Sequence, residues 1–382
     1  MKDSVCKKKV FVALLLISLI FSNIEILSAR GNDSISNRNI QIEFRASYGF
    51  TICHHTEMLY FRAHYPVFEL SVQQATFGTK YWHAKANYPA VGVSFLYTGL
   101  GEFKELGHIY AIYPYMSFNF LKSRRNQLNL KLGVGAGYAT ECFDPKNNYK
   151  NTFLGDNFNA IIHLSFEYNR FITNRLSLSA FVGLTHLSNG ARRVPNNGIN
   201  IAHAGLSTKY FINKPKDRIP AQQSDNQKYK SWERKNLSLY IAFTYALKDI
   251  DEYIGYKKNW SVYSLQINAL KHISEMSKLG IGFDLDYDMT DEEILKLDDV
   301  SYNSAEILRP GVNIAYELAF GSTSFILNAG SHIYCKEDGA GYLYQKLCAK
   351  QNICKHLFLT CVLTTHFGWA DFFTVGIGYK IN

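Results

Sequence analysis

From residue 36 to residue 382, apolar side chains recur at every second position in runs of about 10 to 15 residues, separated by polar, glycine- or proline-containing breaks. A chain whose side chains change face at each residue is a β-strand. Segment 175–188 shows the pattern in full. Leu176, Leu178, Ala180, Val182 and Leu184 share one face, and Ser177, Ser179, Gly183 and Thr185 share the other, with Phe181 the exception. Apolar residues on one side and small or polar residues on the other suit a barrel wall that faces lipid outside, not a sandwich with a large side-chain core. No stretch beyond the N-terminal segment approaches 18 uninterrupted apolar residues, so any membrane crossing must be made by strands. Composition agrees. Charged residues are 19% of the chain and aromatics 15%, with 26 Tyr and 26 Phe against 4 Trp. That balance excludes intrinsic disorder, a coiled coil and a bundle of membrane helices. It leaves a large secreted β protein or an outer-membrane barrel, and the alternation favours the barrel.

The spacing predicts eight strands in the first half, over 38–50, 66–77, 89–100, 108–121, 126–140, 158–172, 175–188 and 198–212. Residues 213–235 are polar and poor in aromatics, which predicts a linker. Eight more strands follow, over 236–247, 259–271, 278–289, 304–319, 322–334, 341–352, 356–366 and 371–382. The expected fold is therefore all-β, an antiparallel transmembrane β-barrel of about 16 strands. It can close as two eight-stranded units, residues 30–212 and 236–382, or as one wide barrel of about 14–16 strands. The linker and an apparent closing strand at 198–212 favour two units. Connections 122–126 and 172–175 are short and 51–65 and 141–156 are long, the alternation expected of periplasmic turns and extracellular loops. Leu184-Thr185-His186 and Thr364-Thr365-His366 end corresponding strands in the two halves, an echo that suggests duplication.

Residues 1–29 carry Lys7, Lys8 and Lys9, then the apolar run Val10 to Phe21, then Ser28 and Ala29, which predicts a secretory signal peptide. Six cysteines remain beyond it, at 53, 142, 335, 348, 354 and 361, and they allow one or two disulfides or free thiols. Their spacing gives no metal site, and no cofactor is expected. The formal net charge is +9. No nucleic-acid motif accompanies it, so anionic lipid head groups are the better partner for an exported chain.

The segment Thr185 to Phe211 holds the most chemistry. His186 and Ser188 are two apart on a strand, so both project from the face predicted to meet lipid. Polar groups directed at hydrocarbon are costly unless they pair or work. Asn189 and Gly190 follow, and backbone N–H groups there can turn toward an oxyanion. On the next strand Asn200 shares a face with Ala202, Ala204, Leu206, Tyr210 and Ile212, and can lie beside His186 across the hairpin. A base, a hydroxyl and an orienting amide at a lipid interface suit ester hydrolysis: His186 as base, Ser188 as nucleophile, Asn200 holding the imidazole. A polar rim where strands leave the membrane explains the same residues without catalysis. Arg192 and Arg193, in the loop after Ser188, are candidates for contacts to phosphate.

His186-x-Ser188-Asn189-Gly190, then Pro195-Asn196-x-Gly198-x-Asn200, closing with Tyr210-Phe211, resembles the lipid A 3-O-deacylase (PagL-like) family, also labelled acyloxyacyl hydrolase-like. The resemblance covers roughly residues 36–213, the length of that family's eight-stranded barrel. It implies an enzyme of the outer membrane of a Gram-negative bacterium, with its site at the outer leaflet and lipopolysaccharide as partner. It would remove the 3-position ester-linked acyl chain of lipid A, with His186 as base, Ser188 as nucleophile and Asn189 with Gly190 near the oxyanion. A family member carries glutamate at the position of Asn200. The second half lies outside the resemblance. There His366 is expected to face inward with no serine beside it, so that half reads as non-catalytic. A decayed barrel acting as channel or scaffold is the alternative. Two weaker candidates are His54-His55, a possible metal pair on a loop, and Asp291-Glu292-Glu293, expected to be a solvated acidic patch.

Overall fold

The computed structural model describes residues 39–123, 125–213, 215–220, 237–367 and 369–381. The expected signal segment and most of the expected linker lie outside these. Contacts divide the chain into two compact units, Met1–Asn189 with Pro195–Asn226, and Gly190–Val194 with Gln227–Asn382.

The first unit is a closed barrel of eight antiparallel strands. They are β1 (Ile40–Thr51), β2 (His64–Ala75), β3 (Ala90–Thr98), β4 (Ile109–Lys122), β5 (Asn126–Ala139), β6 (Phe158–Phe171), β7 (Leu176–Ser188) and β8 (Ile199–Phe211). Strand β1 pairs with β2 on one side and with β8 on the other, Phe44 lying opposite Thr208, so no sheet edge is left open. The outward face carries Phe44, Leu70, Ile112, Phe166, Leu178 and Leu206, all exposed and suited to hydrocarbon.

The inside is charged. Arg45 Nε lies 2.8 Å from Glu43 Oε1, and its NH2 lies 2.6 Å from Glu167 Oε2. Lys131 Nζ lies 3.1 Å from Glu69 Oε2, and Lys209 pairs with Glu167. These groups are buried, which is tolerable because each charge has an opposite partner. Phe181, a large apolar residue amid the small and polar inner face of β7, lies under the Arg45 guanidinium, 4.4 Å from ring centroid to Cζ. At the end where β1, β3, β5 and β7 finish, an apolar cluster that includes Met58, Phe61, Leu100, Phe153, Leu187 and Ile199 fills the interior.

The second unit is another closed eight-stranded barrel. Its strands are β9 (Leu237–Lys248), β10 (Trp260–His272), β11 (Ser277–Asp288), β12 (Leu308–Phe320), β13 (Thr323–His332), β14 (Leu343–Asn352), β15 (Leu357–His366) and β16 (Trp369–Lys380). Closure comes from β16 pairing with β9, Tyr379 opposite Ile241. The chain thus forms two barrels, not one wide one. Inside this unit Lys346 lies 3.1 Å from Asp284 and 3.0 Å from Asp286, and Lys350 lies 2.5 Å from Glu317.

Three expectations need correction or narrowing. The turns at one end of the first barrel are not all short, because residues 76–89 carry a short helix, α1 (Tyr81–Lys85). Asp291-Glu292-Glu293 is not a solvated patch. It lies in the first turns of helix α2 (Met289–Leu297), whose N-terminus is capped by the Asp288 carboxylate accepting from Thr290 N. Asp291 is 2% exposed and takes both Nε and NH2 of Arg309, at 2.6 and 2.5 Å. Glu292 accepts from Tyr287 Oη and Glu293 from Tyr253 Oη. Acids in a first helical turn also meet the favourable end of the helix dipole. The six cysteines among the described residues are all free thiols. Burial pushes the Cys335 thiol up to about 11, so it stays protonated near neutral pH.

Candidate active site

The hairpin of β7 and β8 fixes the site through its inward residues. Leu187, Ile199 and Ile201 are all but fully buried and belong to the apolar cluster inside the barrel. Because a strand alternates faces, their burial turns residues 186, 188 and 200 outward. The register places His186 directly opposite Asn200. Their side chains meet, with His186 Nδ1 2.7 Å from Asn200 Oδ1. An amide oxygen only accepts, so Nδ1 carries the proton and donates it. The other ring nitrogen, Nε2, is then the basic one. The backbone behind Asn200 is also held, since Ile52 N donates to Asn200 O at 2.7 Å.

Two glycines allow the hairpin to close over this pair. Gly190 and Gly198 have φ of 62° and 74°, in the left-handed region. A Cβ on Gly198 would lie 2.9 Å from Cε1 of His186, so a side chain there would push on the imidazole.

Ser188 is largely buried on the same outward side of β7 as His186. Its Oγ accepts from Asn196 Nδ2 at 2.8 Å. Asn196 Oδ1 in turn accepts from the backbone N–H of Asn189 at 3.1 Å. This alters the expected arrangement. The Asn189 amide, expected near the oxyanion, is bonded to Asn196, and it is the Asn196 side chain that donates toward the hydroxyl. Asn196 stood within the motif but received no role from the sequence. Only the fold of the 189–198 loop brings it to Ser188. Arg192 and Arg193 lie half-buried in the same loop, among residues Gly190–Val194 that group with the second compact unit.

The remaining histidines resolve differently. His54 Nε2 lies 3.1 Å from Asn197 O, and the His54 and His55 rings are in contact at 4.7 Å between centroids. His366 is inward, with Nδ1 2.9 Å from Leu343 O and Nε2 3.2 Å from Asp371 Oδ2. Both its nitrogens are thus engaged by oxygen acceptors on the inner side of the barrel.

Comparison with known proteins is consistent along the chain. The family model for lipid A 3-O-deacylase (PagL) matches residues 67–209, and that for the acyloxyacyl hydrolase C-terminal domain matches residues 235–382. The second half, expected to lie outside the resemblance, is thus matched as well. No curated protein matches the chain. Among solved structures, Neisserial surface protein A (NspA) aligns at 9% identity over 46% of this chain and 97% of its own, with a TM-score of 0.34. The outer membrane enzyme PagL aligns at 17% identity over 44% of this chain and 99% of its own, with a TM-score of 0.30. Between them the two family matches take in most of the sequence and both barrels, and the chain belongs to the lipid A 3-O-deacylase (PagL) family of hydrolases.

Proposed function

We propose that this protein hydrolyses the 3-position acyl ester of lipid A at the outer leaflet, with Ser188 as nucleophile and His186 as general base. The observation that carries the reading is the 2.7 Å bond from His186 Nδ1 to Asn200 Oδ1, which leaves Nε2 basic on the same outward face of β7 as Ser188. Nε2 takes the Ser188 proton as Oγ attacks the ester carbonyl carbon. The carbonyl oxygen becomes an oxyanion next to the attacking Oγ, where the Asn196 amide donates. Collapse breaks the ester C–O bond, and the sugar hydroxyl leaves with the proton held by His186. Water then attacks the acyl-serine with His186 again as base, releasing the fatty acid and restoring Ser188. Of the two loop arginines, Arg192 remains the candidate for contacts to the lipid A phosphates, because Arg193 NH1 donates to Lys258 O at 3.1 Å and lies 3.7 Å from Asp249 Oδ2.

Asn200 favours slow turnover. It fixes the productive tautomer but offers no charge to the imidazolium that forms in each step. The same residue is what supports the competing reading, a decayed barrel serving as scaffold. Mass spectrometry of lipid A from cells making wild-type protein or Ser188→Ala separates the two. Loss of the 3-position acyl chain only with wild type is expected. Identical acylation patterns would favour the scaffold.

A further inference from the structure

We propose that Glu69, His163 and His203 form a site for a divalent transition-metal ion, zinc being the best match, inside the first barrel. The three residues come from β2, β6 and β8, are 2%, 0% and 4% exposed, and bring their ligand atoms within 4.8 Å of one another. Two imidazoles and a carboxylate are a donor set that suits zinc and its first-row neighbours. No motif points to it, since no two of the ligands share a strand.

The hydrogen bonds around the rings determine where the lone pairs point. Ser47 Oγ donates to Val67 O at 3.1 Å, so toward His203 it can only accept, and His203 Nδ1, at 3.0 Å, is the donor. His203 Nε2 then keeps its lone pair and accepts from the Thr185 hydroxyl across 3.2 Å, a bond the ion would displace. With that proton committed, Thr185 Oγ1 accepts from His163 Nδ1 at 2.9 Å. The chain ends with a bare Nε2 on His163. That nitrogen faces Glu69 Oε1 at 4.0 Å, and neither atom has a hydrogen-bond partner. Two buried acceptors aimed at each other are costly unless something positive lies between them. The outer bonds also match what metal-binding imidazoles need, with the far nitrogen of each ring donating to a hydroxyl that fixes its orientation.

Gly183 on β7 makes space for the site. A Cβ there would lie 2.8 Å from His203 Nε2. Zinc bonds of about 2.0–2.1 Å place tetrahedral ligand atoms about 3.3 Å apart, so the side chains must draw in by roughly an ångström. Charge works against the ion. Glu43, Glu69 and Glu167 are balanced by Arg45, Lys131 and Lys209, and Lys131 already holds Glu69 Oε2 at 3.1 Å. Removing that lysine should therefore tighten binding, a result that a purely structural role for the cluster does not produce.

The test uses full-length protein folded in detergent with zinc, desalted, and assayed for metal by mass spectrometry. Wild type and the His54→Ala/His55→Ala double variant should each retain about one ion per chain. His163→Asn and His203→Asn should retain none, and Lys131→Met should fill at about ten-fold lower free zinc or below. No retention by wild type, or retention unchanged in His163→Asn, would overturn the proposal. Should the histidine variants fail to fold, wild type folded with cobalt(II) serves instead. Visible bands of a four-coordinate ion are expected, and their absence refutes the site.

Discussion

His186 donates to an amide where, in the proposed reaction, a carboxylate would stabilise the charge on the ring. Asn200→Glu should therefore raise kcat for ester hydrolysis by about ten-fold or more, while Asn200→Ala lowers it by a similar factor. The carboxylate should also move the acid limb of the pH–rate profile upward. A negative neighbour favours the imidazolium, so the base is lost at a higher pH on acidification. A profile unmoved by Asn200→Glu would mean that residue 200 does not govern the ring. Gly198→Val tests the same ring from the other side. It forces a side chain into a left-handed backbone position and against the imidazole. We expect a loss of about a hundred-fold in activity, since small misplacements of a catalytic group are expensive. Asn196→Asp keeps the size but removes the donor to Ser188, and should lower kcat with little change in KM.

The β7–β8 hairpin shows how much an element reveals before it is folded. The outward placement of residues 186, 188 and 200 was legible, because period-two alternation is local and Leu187, Ile199 and Ile201 obey it. The pairing of His186 with Asn200 was legible from the outward face that each shares on adjacent strands of the hairpin. Phe181 broke the pattern for a reason the strand does not contain, namely the guanidinium of Arg45 on β1. Asp291 was misread as solvated for a similar reason. Its partner Arg309 belongs to β12, and only helix α2 brings the two together. Local periodicity carries faces and registers, whereas long-range charge pairing is invisible in it. Replacing Arg309 by Met should consequently destabilise the second barrel by about 3–5 kcal/mol, because Asp291 is left buried without its partner. Urea unfolding of the detergent-folded protein, with Asp291→Asn added to relieve the cost, checks this.

On the scale of the molecule, two closed barrels replace the single wide one that the strand count also allowed. The first is tied across its interior by charges from β1, β2, β5, β6 and β8. Arg45→Met breaks several of these contacts at once and should lower the unfolding midpoint more than any single outward Leu→Ala change on the same barrel. Its interior is also filled with side chains and capped by the apolar cluster at the loop end.

The outward aim of His186 and Ser188 has a kinetic consequence. Under the proposed function, a site on the outer wall of a filled barrel would receive substrate sideways from the surrounding leaflet and return product to it. Encounters are then governed by the mole fraction of substrate in the plane, not by its amount per volume. In mixed micelles the rate should fall as inert detergent is added at fixed enzyme and fixed lipid, and should be nearly unchanged when the whole mixture is diluted with buffer holding the same micelles.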